Sequence, residues 1–368
     1  MKIAVYAIAK NEESNVAEWL NSLADADGIF VLDTGSNDKT LSLLETGGAT
    51  VQQMHGAKTF RFDQARAQAL SLVPAEFDVC ITLDFDERLA PGWRAIIEEQ
   101  FTDDIDVANY TLVYAHDAEG NITVSYPRLA IHRRDSAAWQ YPVHEILIPI
   151  KPVKPVTLPI FCVHYGKPKA AGHYLDLLIM AHSENPNDPR NVQYLAREYY
   201  AMQNYGMAVA LFKSHLDIET YAPFLSESAR RIAEMSNDYE TSEWWFRQAV
   251  QYCNNTREPY CDLALFYFHH KQYEHCIAYV RSALMVERPT YEMIYTDIYY
   301  NGSWCNHMLM ACYQQTGNLR AAQEQKDIII SFYPDQTLPK NIQKDIAILD
   351  RAVQEALYVY LSSVGVQG

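Results

Sequence analysis

An α/β domain followed by an all-helical array is the fold class predicted by this sequence of 368 residues, and three observations carry it. Short apolar strands alternate with amphipathic helices at the start of the chain. Each of those strands runs into a loop rich in acidic and turn-forming residues. Past about residue 166 a 34-residue spacing replaces both patterns.

Residues 3 to 9 form the first apolar strand, and Lys10-Asn11-Glu12-Glu13-Ser14-Asn15 lead from it into a helix with Val16, Trp19, Leu20 and Leu23 on one face. A second strand, 28 to 32, ends in Asp33-Thr34-Gly35-Ser36-Asn37-Asp38-Lys39-Thr40, and a short helix with Leu41, Leu43 and Leu44 follows. Strands alternating with helices imply a mostly parallel sheet with its polar loops gathered at the carboxyl edge. There such sheets bind ligands. A third apolar run, Val79-Cys80-Ile81-Thr82-Leu83, delivers Asp84, Phe85, Asp86 and Glu87 to the same edge. On an extended backbone, residues two apart point to one side, so Asp84 and Asp86 would converge. Such a pair suits Mg²⁺ or Mn²⁺, which prefer oxygen ligands and keep positions open for phosphate oxygens. The plainer alternative is an acidic turn capping a helix near Pro91. Asp33 likewise either accepts from a base or ribose or serves turn and cap chemistry.

The net charge of −16 excludes a general nucleic-acid surface, which needs Lys and Arg concentrated on one face. Only Arg128, His132, Arg133 and Arg134 interrupt the acidity, a stretch that suits an edge strand made soluble by charge. Length and a 49% hydrophobic content fit two domains. With no apolar span of membrane length and Met1 leading directly into a strand, a soluble cytoplasmic protein without a transmembrane segment is expected. Seven cysteines without a CxxC pair read as reduced, buried thiols, with neither disulfide nor structural zinc.

Five ordered motifs span residues 1 to 166: Lys10-Asn11-Glu12-Glu13, Asp33 to Thr40, Phe62-Asp63-Gln64-Ala65-Arg66-Ala67-Gln68-Ala69-Leu70, Leu83-Asp84-Phe85-Asp86-Glu87, and Pro142-Val143-His144-Glu145. Together they resemble the inverting, GT-A-fold glycosyltransferases of family 2. The nearer likeness is to lipopolysaccharide-core β-glucosyltransferases and to repeat-bearing peptide glycosyltransferases. Gln68 and Phe85 depart from that pattern. The resemblance implies that Lys10, Asn11, Glu12 and Asp33 contact the nucleoside, and that Arg66 and Arg128 meet the donor diphosphate. Asp84 is implied at the ribose or the metal, and Asp86 and His144 at the metal. An inverting reaction needs a base for the acceptor. Glu145 is the candidate, with Asp117 and Glu87 as rivals. Trp139 and Tyr141 flank that loop, either to stack on a sugar or to fill a local core.

The second half repeats itself. Leu195-Ala196, Tyr199, Ala208 and Phe212 recur 34 residues on as Ala229-Arg230, Ala233, Ser242 and Phe246, and after another 34 as Leu263-Ala264, Tyr267, Cys276 and Val280. That is the tetratricopeptide (TPR) spacing. A fourth unit fits as Leu309-Met310, Tyr313 and Ala322, displaced by a tyrosine-rich insertion at 290 to 301. A capping helix over 343 to 362 follows, with Ile346, Leu349, Val353, Leu357 and Leu361 on one expected buried face. Tyr199, Tyr200, Tyr205, Tyr291, Tyr295, Tyr299 and Tyr300 are candidates for a peptide- or glycan-receiving groove, or for packing between helices. Repeats of this kind also support a homodimer.

The expected organisation is a GT-A domain at 1–166, a linker helix at 167–185, TPR-like repeats at 186–335 and a capping helix and tail at 336–368. The expected activity is metal-dependent, inverting transfer of a sugar from a UDP-linked nucleotide sugar with Mn²⁺ or Mg²⁺. The acceptor is left open among a glycan or lipopolysaccharide, a peptide and a modified nucleobase. Two alternatives stand beside it: a catalytically inactive scaffold, and a nucleotidyltransferase. The latter class would carry a glycine-rich loop after the first strand, where this chain has Ala9-Lys10-Asn11-Glu12.

Overall fold

The computed structural model describes residues 1–54, 60–116, 122–166, 169–287, 303–333 and 338–363. The chain divides into two compact units, Met1–Asn204 and Tyr205–Gly368.

The first unit is built on strands β1 (Ile3–Ala9), β2 (Gly28–Asp33), β3 (Thr50–Gln53) and β4 (Val79–Thr82), with helices α1 (Val16–Ser22), α2 (Thr40–Thr46) and α3 (Phe62–Ser71) between them. β1 lies between β2 and β4 and runs parallel to both, and β2 pairs parallel with β3. Strands β1, β2 and β4 are apolar along both faces because both are covered, whereas the edge strand β3 is largely exposed. Ile3, Val5 and Ala7 enter a core with Trp19 of α1 and Leu44 of α2, while Ala4 and Tyr6 enter another with Ala65 and Ala69 of α3. The two-residue period of a strand thus divides one sequence between two helical layers.

The sheet continues through β5 (Glu87–Leu89), β6 (Val107–His116), β7 (Ile122–Arg133) and β10 (Val156–His164) to give the order β3-β2-β1-β4-β7-β6-β10-β5. β7 is antiparallel to β4 and β6, β10 is parallel to β6, and β5 is antiparallel to β10. Helix α4 (Trp93–Gln100) buries Trp93 and Ile97 in the first core. A separate two-stranded ribbon joins β8 (Ala137–Gln140) to β9 (Ile146–Pro149), and the Pro142 to Glu145 motif lies between its strands. Helices α5 (Leu175–Glu184) and α6 (Pro189–Ala201) complete the unit.

The second unit contains α7 (Tyr205–Ile218), α8 (Ala222–Met235), α9 (Tyr239–Tyr252), α10 (Glu258–His269), α11 (Tyr273–Met285), α12 (Trp304–Gln315), α13 (Leu319–Ser331) and α14 (Lys340–Ser363). Successive helices pack as the pairs α8 with α9, α10 with α11 and α12 with α13. The positions marked by the 34-residue spacing are buried: Ala229, Ala233, Phe246, Leu263, Ala264, Tyr267, Cys276, Val280, Leu309, Met310, Tyr313 and Ala322. The expected helical array of TPR-like repeats is therefore present. Arg230 instead reaches Asp262 of the next pair. The single buried face expected along the last helix holds only for its first part, since Ile346 and Leu349 are buried while Leu357 is 54% exposed. Tyr291, Tyr295, Tyr299 and Tyr300 lie outside the described residues, as does Asp117. All seven cysteines are buried thiols, with Cys261 and Cys305 in sulfur contact at 3.9 Å. Among the described residues no helix is long and apolar enough to cross a membrane.

Candidate active site

Asp84 and Asp86 do not continue β4. They form a tight turn, closed by the Glu87 N–H donating to the Asp84 carbonyl at 3.0 Å. The same-side placement expected of an extended backbone is therefore lost, and the two carboxylates part. Phe85, between them, is buried and stacks on Trp19 with ring centroids 4.3 Å apart, which anchors the turn to the core.

Asp84 goes to two arginines. Arg66 of α3 donates from Nη2 at 2.7 Å and Arg128 of β7 from Nη2 at 3.2 Å. Burial works to raise the Asp84 pKa, but the two guanidiniums outweigh it and hold the carboxyl well below its usual range. Arg66 also pairs through Nε with Glu145, and its planar face lies 4.9 Å from the centre of the Trp139 ring. Its Nη1 is buried without a hydrogen-bond partner. Arg128 pairs with Glu87 as well, a fully buried carboxylate that also accepts from the Tyr110 hydroxyl and the Asp84 N–H. Burial raises the Glu87 pKa. Enclosed in this way, Glu87 cannot reach an acceptor.

Asp86 turns toward a residue that sequence reasoning passed over. His164, the last residue of β10, places Nε2 at 3.5 Å from Asp86 Oδ2. The hydrogen bond to Asp86 raises the His164 pKa. Gly166 keeps the space over this pair open: a β-carbon there would sit 2.7 Å from Asp86 Oδ2 and run into the His164 ring. Glu12 belongs to the same neighbourhood, its pKa pushed up by burial and by the charges of Asp86 and Asp84. Among the described residues no three His, Cys, Asp or Glu side chains converge on one point. A carboxylate and an imidazole nevertheless suit Mn²⁺, and such ions commonly take one or two protein ligands and complete their shell with phosphate oxygens and water. Neighbouring donors on an ion bound at about 2.1 Å lie roughly 3 Å apart, close to the observed separation. The donor set and the open cradle thus fit such an ion. The signal for His164 was the strand-ending His164-Tyr165-Gly166, which the sequence pattern marks only as a change of domain character.

The loops after β1 and β2 are laced together. Asn11, in a left-handed conformation at φ 58°, donates its N–H to Ser36 Oγ at 2.9 Å and accepts from the Asn37 N–H at 2.9 Å. The Glu12 N–H donates to Thr40 Oγ1 at 2.6 Å, and the Lys39 N–H to Glu13 Oε2 at 3.0 Å. Asp33 is buried and accepts from the N–H groups of Gly35 and Ser36, which is turn chemistry. Lys10 is exposed at the mouth of this pair of loops.

The Pro142 to Glu145 loop carries two L-residues in left-handed conformation, Tyr141 at φ 77° and His144 at φ 51°. Helices α5 and α6 hold it there. Arg190 Nη2 donates to the His144 carbonyl at 2.8 Å, the Tyr141 hydroxyl to Asp188 Oδ2 at 3.1 Å, and Arg61 to Glu184 at 2.6 Å. The His144 ring stacks on Tyr194 with centroids 4.1 Å apart and meets Tyr174 edge-on at 5.4 Å. Burial, followed by Arg190 and Arg197, lowers its pKa to about 4. No ion pair joins His144 to Asp84 or Asp86 among the described residues; the histidine at Asp86 is His164. Trp139 donates its indole N–H to the Tyr6 hydroxyl at 3.0 Å, and Tyr6 contacts His132 Nε2 at 3.0 Å. That is the local-core role rather than a sugar platform.

Residues 5–150, which hold this whole constellation except His164, Gly166 and the two helices, match the family model described as glycosyl transferase family 2. A family 2 glycosyltransferase domain thus lies within the first unit, at residues 5–150. A curated relative, a TPR repeat-containing protein of Synechococcus elongatus, is 26% identical over 148 residues, covering 40% of this chain. The matched segment is 35% of that relative, so the chain spans about a third of its length. Solved structures that superpose in part include MamA (10% identity, 43% of this chain and 85% of that one, TM-score 0.35). Two others are TTC0263, a thermophilic TPR protein in Thermus thermophilus (18%, 49% and 89%, 0.32), and YrrB, a TPR protein with an unusual peptide-binding site (15%, 43% and 75%, 0.34). Within the first unit, Asp84, Asp86, Arg66, Arg128, Glu12 and Glu145 gather around the turn that follows β4, and His164 joins them.

Proposed function

We propose that the chain is an inverting, metal-dependent glycosyltransferase that takes a sugar from a UDP-linked donor. The observation that carries this reading is the Asp86–His164 pair, kept open by Gly166 beside Asp84 and Glu12, at the carboxyl edge of the family 2 domain. Asp86 and His164 are assigned as the residues that would hold Mn²⁺ or Mg²⁺, with His164 in the place the motif pattern gave to His144. When bound, the ion would neutralise charge on the departing diphosphate.

The chain's own residues supply the rest. The unpartnered Nη1 of Arg66 is a buried donor suited to a diphosphate oxygen, and its other nitrogens are fixed by Asp84 and Glu145, so little ordering is needed when the donor arrives. Lys10, Asn11 and Glu12 present the nucleoside loop, and Asp33 shapes that loop from within. Glu145 is the proposed base: its carboxylate is oriented by Arg66 and stands on a loop that α6 holds rigid.

Donor turnover tests this. Incubated with Mn²⁺ and a panel of UDP- and GDP-sugars, the protein should release UDP from one UDP-sugar, and Asp86→Ala should abolish release. A panel from which no nucleotide is freed or bound would instead favour the scaffold reading, in which the two arginines on Asp84 serve only to close the domain.

A further inference from the structure

A chain of hydrogen bonds from the buried interior ends behind Arg66. The Trp139 indole of β8 donates to the Tyr6 hydroxyl of β1 at 3.0 Å, and that hydroxyl lies 3.0 Å from His132 Nε2 of β7. His132 Nδ1 in turn lies 2.8 Å from the Arg133 carbonyl. Tyr6 and His132 are fully buried, and Tyr6 shares a core with Ala65 and Ala69 of α3, the helix that carries Arg66. Only one proton arrangement satisfies all three contacts. An indole nitrogen only donates and a backbone carbonyl only accepts, so Tyr6 accepts from Trp139 and His132 Nδ1 carries the ring proton. Burial lowers the His132 pKa to about 4 and keeps the imidazole neutral at neutral pH. Its Nε2 is then bare and accepts from the Tyr6 O–H.

The far end of the chain bears on the guanidinium. The Arg66 Cζ lies over the Trp139 ring, 4.9 Å from its centre. Hydrogen bonds from a guanidinium lie in its plane, so Asp84 and Glu145 fix the direction of the fork while a ring against its face fixes the tilt. A partly buried indole free to turn would set no tilt. Tyr6 denies it that freedom, because turning the ring would strand the indole N–H and leave buried polar atoms unpaired. We infer that Tyr6, His132 and Trp139 are positioning residues for Arg66, acting through the indole ring to hold its buried Nη1 ready for a phosphate oxygen of the donor. Among the described residues that Nη1 has no hydrogen-bond partner. The inference rests on the glycosyltransferase reading for the phosphate, and on the geometry alone for the guanidinium.

NMR of the full chain carrying nitrogen-labelled arginine tests it, with the Arg66 signals identified by their absence in Arg66→Lys. The Arg66 Nε–H should exchange slowly and be displaced upfield by the indole ring. Tyr6→Phe and His132→Leu should each shift that signal back and speed its exchange, whereas His132→Gln, whose amide oxygen can accept from Tyr6, should restore it. Where His132→Leu does not fold, Tyr6→Phe, which removes a single oxygen, decides. In titrations with Mn²⁺, the preference for UDP over UMP should fall about tenfold in Tyr6→Phe and His132→Leu, the worth of one hydrogen bond to a charged group. A variant that merely loosened the domain would lose both nucleotides alike. An unmoved Arg66 signal in natively folded Tyr6→Phe, or a loss in His132→Gln equal to that in His132→Leu, would overturn the positioning chain. A shifted signal with unchanged preference for UDP would overturn its service to phosphate binding. Native protein that binds neither nucleotide would remove the donor reading and leave the guanidinium signals to judge the positioning.

Discussion

Arg66 is the residue on which most of the site's charge balance turns. It is 5% exposed, and it compensates both Asp84 and Glu145. Removing one partner of a buried ion pair leaves uncompensated charge, so Arg66→Ala should lower unfolding stability by about 3 kcal/mol in urea, well beyond a surface substitution. Arg66→Lys keeps the charge without the fork and should fall between. A second residue-level expectation concerns acid. Burial lowers the His132 pKa from 6.5 to about 4. The unfolded chain then takes a proton between those values that the folded chain refuses. This contribution is complete above pH 6.5 and is lost as pH falls toward 4, up to about 3 kcal/mol. In His132→Gln, whose amide oxygen can still accept from Tyr6, that part of the pH dependence of denaturant unfolding should flatten. An unchanged slope would mean that other groups set it. At this scale the sequence made Asp86 and Arg66 legible because their types and spacing advertise chemistry. His164 was hidden because only the pairing of β10 with β5 and β6 carries it to the turn that holds Asp86.

Strands β1, β2 and β4 and helices α1 and α2 were readable from periodicity, since burial on one or both faces imposes a period that survives in the sequence. The β8–β9 ribbon was not, because its four-residue strands are too short to show one. Nor was the clamp that α5 and α6 place on the Pro142 to Glu145 loop, which depends on contacts between residues about 50 apart and on two left-handed L-residues. Each such backbone state costs about 1 kcal/mol or more and persists only where its surroundings impose it. Loss of the clamp should therefore show as a misplaced Glu145. Arg190→Ala and Tyr194→Ala are expected to lower kcat about tenfold or more with donor KM little changed, and Arg190→Lys to recover part of the rate. Donor KM rising with kcat unchanged would place α6 at the donor instead. Glu145→Gln should cost at least about 10²-fold in turnover while keeping donor affinity, and a loss below about tenfold would take the base role from it.

For the whole molecule, the succession of a sheet domain and a helical array was legible because hydrophobic patterning changes period after β10, and the 34-residue spacing identified buried positions of the helix pairs, while the two compact units part after Asn204. Two compact units make more than one calorimetric transition the expectation, and a ligand of the first should shift only one of them. At 100 times its Kd a ligand adds about 2.7 kcal/mol to the unit that binds it. Calorimetric titration of UDP into the full chain, with and without Mn²⁺, therefore reaches the heart of the matter. One UDP should bind per chain and should need the ion. Binding should vanish in Asp86→Ala and His164→Ala and persist in His144→Ala. UDP binding that is indifferent to EDTA, or that is lost in His144→Ala and kept in His164→Ala, would contradict the site described here.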